Sequence, residues 1–272
     1  MRRAAWWVAA LLCAAAAVAP AQVAAPRNFP PDAAAYLVKA DGRVLWAKAA
    51  DRPLPPASLT KLMTALLVAE GDDPAAAVTV GAAAAREAGG KLGLERGERL
   101  TVADLLAATL IQSANDACHA LADHVAGDEQ RFVARMNRRA RAWGLAETHF
   151  ANACGHDQPG HTSSARDLAA LAERALARPE LARLMAAASL EIRSLDGSRH
   201  YQLHNKNLLI GRFPGAVGVK TGFTARAGKC LVGAARQDGH EVLLVLLNAP
   251  NRWWDAVEAL ERAFFERQYP AR

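Results

Sequence analysis

The 272-residue sequence predicts an α/β fold, an antiparallel sheet flanked by helices with an all-helical lobe inserted into it. Three observations lead there. Strand-like runs at 36–39 and 44–47, and again from about 190 onward, bracket a long middle stretch of helical pattern. Two Asp-Gly pairs, Asp41-Gly42 and Asp238-Gly239, separate apolar runs and mark tight hairpins. The run 242–247 lacks polar alternation, as expected of a strand buried on both faces.

The elements follow in order. Residues 1–21 read as a signal peptide: Arg2 and Arg3 precede an apolar stretch at 4–18, too short for a bilayer span, and Ala19-Pro20-Ala21 offers small residues for cleavage. The expected mature chain, 22–272, is one domain exported to the periplasm or another extracytoplasmic space. Its α/β lobe covers about 30–71 and 187–272, its helical lobe about 72–186. Cleavage removes two arginines and no acid, so net charge falls from +6 to 31 − 27 = +4. Pro53, Pro55 and Pro56 forbid further sheet and set up a helix start. Leu59, Leu62, Met63, Leu66 and Leu67 then form one apolar stripe, with Ser58 and Lys61 at its edge. Thr101-Val-Ala-Asp104 reads as an N-cap with an acidic third residue, opening a helix through 111. Ser113-Ala-Asn115 is the turn before a helix at 116–125, and helices fit 130–143 and 165–177. Strands return at 217–219, 230–235 and 242–247, and an apolar-faced helix at 253–265 closes the chain.

Composition narrows the function classes. Hydrophobic content of 52%, charged content of 22% and mean hydropathy of −0.01 describe a globular chain rather than a disordered one. There is no phosphate loop and no concentrated basic stripe, so nucleic acid is not an expected partner. No G-x-S-x-G or H-E-x-x-H occurs, and His200 and His204 sit in a strand-like run unsuited to a metal pair. No metal or cofactor is expected. Cys118, Cys154 and Cys230 remain after cleavage, an odd count that leaves at least one free thiol. Cys118 and Cys230 lie in apolar stretches and read as buried small residues.

Three short strings carry chemistry. Of seven serines, only Ser58 has a lysine three residues on, and it stands at a helix start whose positive end favours developing negative charge. Residues i and i+3 are neighbours on a helix, so Lys61 can take the Ser58 proton. A lysine at its ordinary pKa is a poor base at pH 7; half-neutralising it needs a shift of roughly 3.4 units. Desolvation and repulsion from Lys220 both push that way. Ser113 supplies a second hydroxyl for proton relay, and Asn115 an amide to hold a peptide. In Lys220-Thr221-Gly222 the first two residues suit a free carboxylate, and the glycine lets a backbone lie close. Together the strings equip an acyl-transferring serine enzyme without a catalytic histidine.

The surrounding sequence strengthens this. Pro55-Pro-Ala-Ser-Leu-Thr-Lys-Leu-Met-Thr64, Ser113-Ala-Asn-Asp-Ala-Cys118, Thr148-His-Phe-Ala-Asn152, Gly160-His-Thr-Ser-Ser-Ala-Arg-Asp-Leu168 and Val219-Lys-Thr-Gly-Phe-Thr-Ala-Arg-Ala-Gly228 resemble the serine D-alanyl-D-alanine carboxypeptidases, the low-molecular-mass penicillin-binding proteins. The resemblance spans about 30–250. It implies the β-lactamase/penicillin-binding transpeptidase fold, peptidoglycan stem peptides as substrate and β-lactams as covalent inhibitors. It also implies an oxyanion hole from the backbone N–H groups of Ser58 and Phe223. Departures are Ala153, where relatives often carry Pro, His156 in place of Leu, and Lys206 in place of Arg. The β-rich domain and amphipathic tail of many relatives are not in the sequence, so no C-terminal membrane anchor is evident. Three alternatives stand beside the carboxypeptidase: an endopeptidase with the same site, a catalytically silent penicillin-binding sensor, against which intact Ser58, Lys61 and Lys220 speak, and a class A β-lactamase, which needs a Glu in an E-x-x-x-N loop; four residues separate Glu147 from Asn152, and that match fails.

Overall fold

The computed structural model describes residues 32–71 and 73–268; the signal peptide expected over 1–21 lies outside them. Strands β1 (Ala35–Ala40) and β2 (Arg43–Lys48) form the first hairpin. Asp41 and Gly42 close it at φ of 48° and 77°, the mirror-image turn that Asp-Gly adopts readily. A 3₁₀ turn, Ala57–Thr60, runs into α1 (Lys61–Gly71). The inserted lobe contains β3 (Ala77–Thr79), α2 (Ala82–Ala85), β4 (Arg99–Thr101), α3 (Val102–Ala107), a π-turn over Ala108–Gln112, and α4 (Asn115–Ala126). It continues through α5 (Glu129–Ala142), α6 (Ala165–Leu176) and α7 (Pro179–Ala186). The chain returns through β5 (Ser189–Arg193), β6 (His200–His204), β7 (Ala216–Thr224), β8 (Gly228–Gln237), β9 (His240–Leu247) and α8 (Arg252–Gln268).

The main sheet has the order β2-β1-β9-β8-β7 and is antiparallel throughout. Strand β1 pairs with β9 from Ala35↔Leu247 to Ala40↔Val242, joining the two ends of the chain. Alternation along β9 feeds two cores. Val242, Leu244 and Leu246 pack with Leu260 and Phe264 of α8, while Leu243, Val245 and Leu247 join the core of the helical lobe. That double burial explains the unbroken apolar run.

Three expectations need correction. The inserted lobe is not all-helical: β3 and β4 pair within it, but three residues each are too few to show a period. Helix α1 is buried from Lys61 to Val68 rather than along one stripe, because α4, α5 and α6 all pack on it. Cys118 is buried, but it is bonded to Cys154 rather than being a plain small residue. Cys230 is the free, buried thiol among the described residues. The Thr101 cap reads as expected, its side chain accepting from the Asp104 N–H.

Candidate active site

Ser58 lies in the 3₁₀ turn, and Lys61 opens the helix that follows. The turn is tighter than the α-helical start expected, but it keeps residues i and i+3 adjacent. Lys61 Nζ lies 3.1 Å from Ser58 Oγ. It also donates to Asn115 Oδ1 at 2.7 Å and to the Cys154 carbonyl at 2.5 Å. The amine is thus tied to two segments of the helical lobe and aimed at the hydroxyl. Behind the turn, buried His161 accepts from the Ala151 N–H at Nδ1 and sits 2.7 Å from Thr60 Oγ1 through Nε2. Burial lowers its pKa to about 4. A neutral ring accepting at Nδ1 must donate from Nε2, so His161 braces the residue beside Lys61.

Two glycines let other segments close on this turn. A Cβ on Gly155 would meet Ala57 O at 2.0 Å and Ser58 N at 2.8 Å. The turn carrying Gly155 is shaped by Asn152, whose Oδ1 accepts from the Gly155 and His156 N–H groups. A Cβ on Gly222 would lie 3.1 Å from Pro56 O and 3.2 Å from Ser58 N. Gly222 also lines the cleft, and a side chain there would crowd the Ser58 turn.

Ser113 follows the π-turn with φ of 63° and ψ of 32°. A non-glycine residue held there is strained, as residues at functional sites often are. Lys220 Nζ donates to Ser113 Oγ at 2.7 Å and to Thr221 O at 3.1 Å. Asn115 stands at the start of α4, its Nδ2 donating to the Ala88 carbonyl at 2.6 Å. The two lysines are therefore the inner ends of two pairs, Lys61 with Ser58 and Lys220 with Ser113.

These residues surround a cleft of about 390 Å³. Ser58, Ser113, Asn115, Thr221, Gly222 and Phe223 line it, and Lys61 and Lys220 lie buried behind its wall. Lys206 also lines it. A larger cavity, about 560 Å³ and lined by Arg135, Arg138 and Arg139, contains none of the predicted residues. Arg252 is a charged lining residue that the sequence did not reveal, as Gly89, Gly90, Gln112 and Gly155 are uncharged ones. Its Nη1 donates to the Gly222 and Cys230 carbonyls at 2.7 and 3.0 Å, while its Nε is buried without a partner. No local motif marks it, since its relation to Gly222 exists only across the fold.

The electrostatics follow from burial. Burial pulls the Lys61 amine down to about 7, against the carboxylates of Glu87 and Asp116. Burial also drives Lys220 well below the ordinary lysine value, aided by repulsion from Lys61 and Arg252. An anion entering this desolvated site would be stabilised by these donors and would favour their charged forms in turn.

The sequence profile of the D-alanyl-D-alanine carboxypeptidases, Peptidase_S11, matches residues 21–251. The chain belongs to this family. The D-alanyl-D-alanine carboxypeptidase DacF of Bacillus subtilis is 36% identical over 221 residues, covering 79% of this chain and 57% of that protein. The chain thus spans little more than half the length of that relative. Among solved structures, a D-alanyl-D-alanine carboxypeptidase of Mycobacterium tuberculosis H37Rv superposes with a TM-score of 0.82 at 30% identity, covering 90% and 96% of the two chains. A mutant of the Streptomyces K15 DD-transpeptidase gives 0.81 at 29% identity, covering 86% and 98%. The carboxypeptidase-family fold accounts for the sheet built from both chain ends. No described helix is long and apolar enough to cross a membrane.

Proposed function

We propose that this chain is an exported serine DD-carboxypeptidase, with residues 22–272 as its catalytic unit and 1–21 as its export signal. It removes the terminal D-alanine from peptidoglycan stem peptides through an acyl-enzyme. The observation that carries this reading is the Lys61 amine, buried yet 3.1 Å from Ser58 Oγ and brought to about 7. Ser58 Oγ adds to the carbonyl carbon of the penultimate D-alanine as its proton passes to Lys61 Nζ. The oxyanion forms beside the Ser58 and Phe223 N–H groups. Collapse breaks the C–N bond, and the departing nitrogen takes a proton from Ser113, which Lys220, returned to its ammonium form by the bound substrate carboxylate, resupplies. Water then attacks the ester and yields its proton to Ser113 and Lys220, while Lys61 returns one to Ser58. Thr221 and Lys220 suit the free carboxylate, with Lys206 and Arg252 lining the cleft beside them.

A β-lactam acylates Ser58 by the same route. The β-lactamase alternative lacks support: the Glu147 N–H donates to Asp167, Glu147 does not line the cleft, and Asn152 shapes the Gly155 turn. The test incubates the mature protein with a defined pentapeptide, a cross-linked dimer and penicillin, and weighs the products. Release of D-alanine and a penicilloyl adduct on Ser58, absent in Ser58→Ala, is expected. An adduct on another serine would overturn the assignment, and cleavage of the dimer alone would make the enzyme an endopeptidase.

A further inference from the structure

Beside the cleft stand ionisable groups that the proposed mechanism leaves unused. Glu87 follows α2 on the loop that carries Gly89 and Gly90 into the cleft wall. Both of its oxygens are held. Oε1 lies 2.6 Å from His119 Nδ1 on α4. Oε2 lies 2.8 Å from His156 Nε2, a close contact without hydrogen-bond alignment. The Glu87 and His119 side chains are 12% and 11% exposed. One carboxylate therefore joins the loop after α2, helix α4 and the loop after Cys154.

This clamp holds the residue next to Glu87. The Ala88 carbonyl accepts from Asn115 Nδ2 at 2.6 Å, and the Gly90 carbonyl accepts from the Asn115 N–H at 2.8 Å. Asn115 Oδ1 in turn accepts from Lys61 Nζ at 2.7 Å. An amide offers a donor end and an acceptor end. With Nδ2 committed to Ala88, the acceptor end is left for Lys61.

The geometry points to Glu87 as a positioning residue: gripped by His119 and His156, it presents the carbonyl that orients Asn115 toward Lys61 and adds a fixed negative charge to the surroundings of that amine. This rests on the reading of Lys61 as the base. The charges bearing on Lys61 are the Glu87 and Asp116 carboxylates, and Lys220 is repelled by it from β7. Those bearing on Glu87 are His119 and His156, with Asp123 and Glu129 behind His119. Burial alone would raise the Glu87 carboxyl, but the two histidine contacts bring it to about 2, so it stays ionised wherever the enzyme works.

Removing Glu87 has two separable consequences. Asn115 loses its fixed orientation, which lowers the plateau rate. Lys61 loses a stabiliser of its ammonium form, which moves the acid limb of the rate profile to lower pH. A residue acting only as scaffold would lower the rate without moving the limb.

The experiment measures the second-order rate of acylation by a fluorescent penicillin from pH 5 to 9, with melting curves, for wild type, Glu87→Gln and Glu87→Asp. The Gln variant is expected to lose about tenfold at the plateau while its acid limb moves down by roughly half to one pH unit. The Asp variant keeps the charge and shortens the reach, so its plateau falls and its limb stays in place. A Gln variant with an unmoved limb, or an Asp variant with a wild-type plateau, overturns the proposal. If the Gln variant fails to fold, the Asp variant decides: a moved limb removes the electrostatic role and a wild-type plateau the positioning role. Absence of labelling in the wild type would instead sink the reading of Ser58 and Lys61 on which this rests.

Discussion

Cys154 is tied at both ends of its chemistry: its sulfur is bonded to Cys118, and its carbonyl accepts from Lys61 Nζ at 2.5 Å. The disulfide closes a separation of 36 residues between α4 and the loop that carries Gly155. Such a link restrains the unfolded chain and is worth roughly 2–5 kcal/mol. Cys118→Ala with Cys154→Ala should therefore lower the melting temperature by about 5–15 °C. It should also slow penicillin acylation, since the loop presenting the Lys61 acceptor loses its anchor. Thiol titration of the denatured, unreduced mature protein should find Cys230 alone. Three free thiols would show that the bond is not formed.

The Lys61 amine sits at about 7 because burial disfavours its charged form. Acylation needs the neutral amine, so below pH 7 the rate should fall about tenfold per pH unit, and above it should level off. The stability consequence has a fixed sign. Between about 7 and the ordinary lysine value near 10.4, the unfolded chain binds more protons at this position than the folded one. The Lys61 contribution therefore makes the fold more stable as pH rises through that window. Stopped-flow labelling checks the first statement. Denaturant melts of wild type and Lys61→Met across pH 7–10 check the second: the wild-type stability minus that of the variant should rise with pH, and a fall would show the sign to be wrong.

Gly155 has φ of +88° and no room for a methyl group, with the Ala57 carbonyl 2.0 Å from where its Cβ would stand. Gly155→Ala must push the 3₁₀ turn away and displace Ser58. A displacement near 1 Å at a reacting group costs on the order of 100-fold. Penicillin acylation of this variant should fall by about that factor. Gly239→Ala, in a turn with open space around it, is the control for glycine replacement at positive φ.

Local signals carried the outline of this reading. Asp41-Gly42 and Asp238-Gly239 specify turns through their own backbone preferences, and 242–247 declares its double burial through composition. Ser58 and Lys61 are three residues apart, so their contact is nearly local. What stayed hidden depends on approach between distant segments. The Cys118–Cys154 bond, the Glu87 contacts with His119 and His156, and the Arg252 donation to Gly222 join positions that no local period relates. The close approach of Gly222 to the Ser58 turn stayed hidden for the same reason, because the two positions are 222 − 58 = 164 residues apart. Strands β3 and β4 are too short to show alternation, and the polar, exposed β5–β6 hairpin has little apolar pattern to read.

The remaining prediction concerns action at a chain end. Thr221, Lys206 and Arg252 line the cleft, and Lys220 lies behind it with its amine desolvated. A free carboxylate entering there gains charge-assisted hydrogen bonds and restores the ammonium form of Lys220, because an opposite charge favours protonation. Binding of an acid-ended peptide to the Ser58→Ala variant should therefore take up protons, seen as a buffer-dependent enthalpy, and an amide-ended peptide should take up fewer. Such bonds are worth roughly 1.5–3 kcal/mol, about 10- to 150-fold in rate if realised in the transition state. Amidating the terminal D-alanine should lower kcat/KM by that range. Lys220→Ala should remove most of the discrimination, and Arg252→Leu or Lys206→Ala the remainder. Equal kcat/KM for acid and amide in the wild type would show that the carboxylate is not read, and the enzyme would then be suited to cutting within cross-links rather than at their ends.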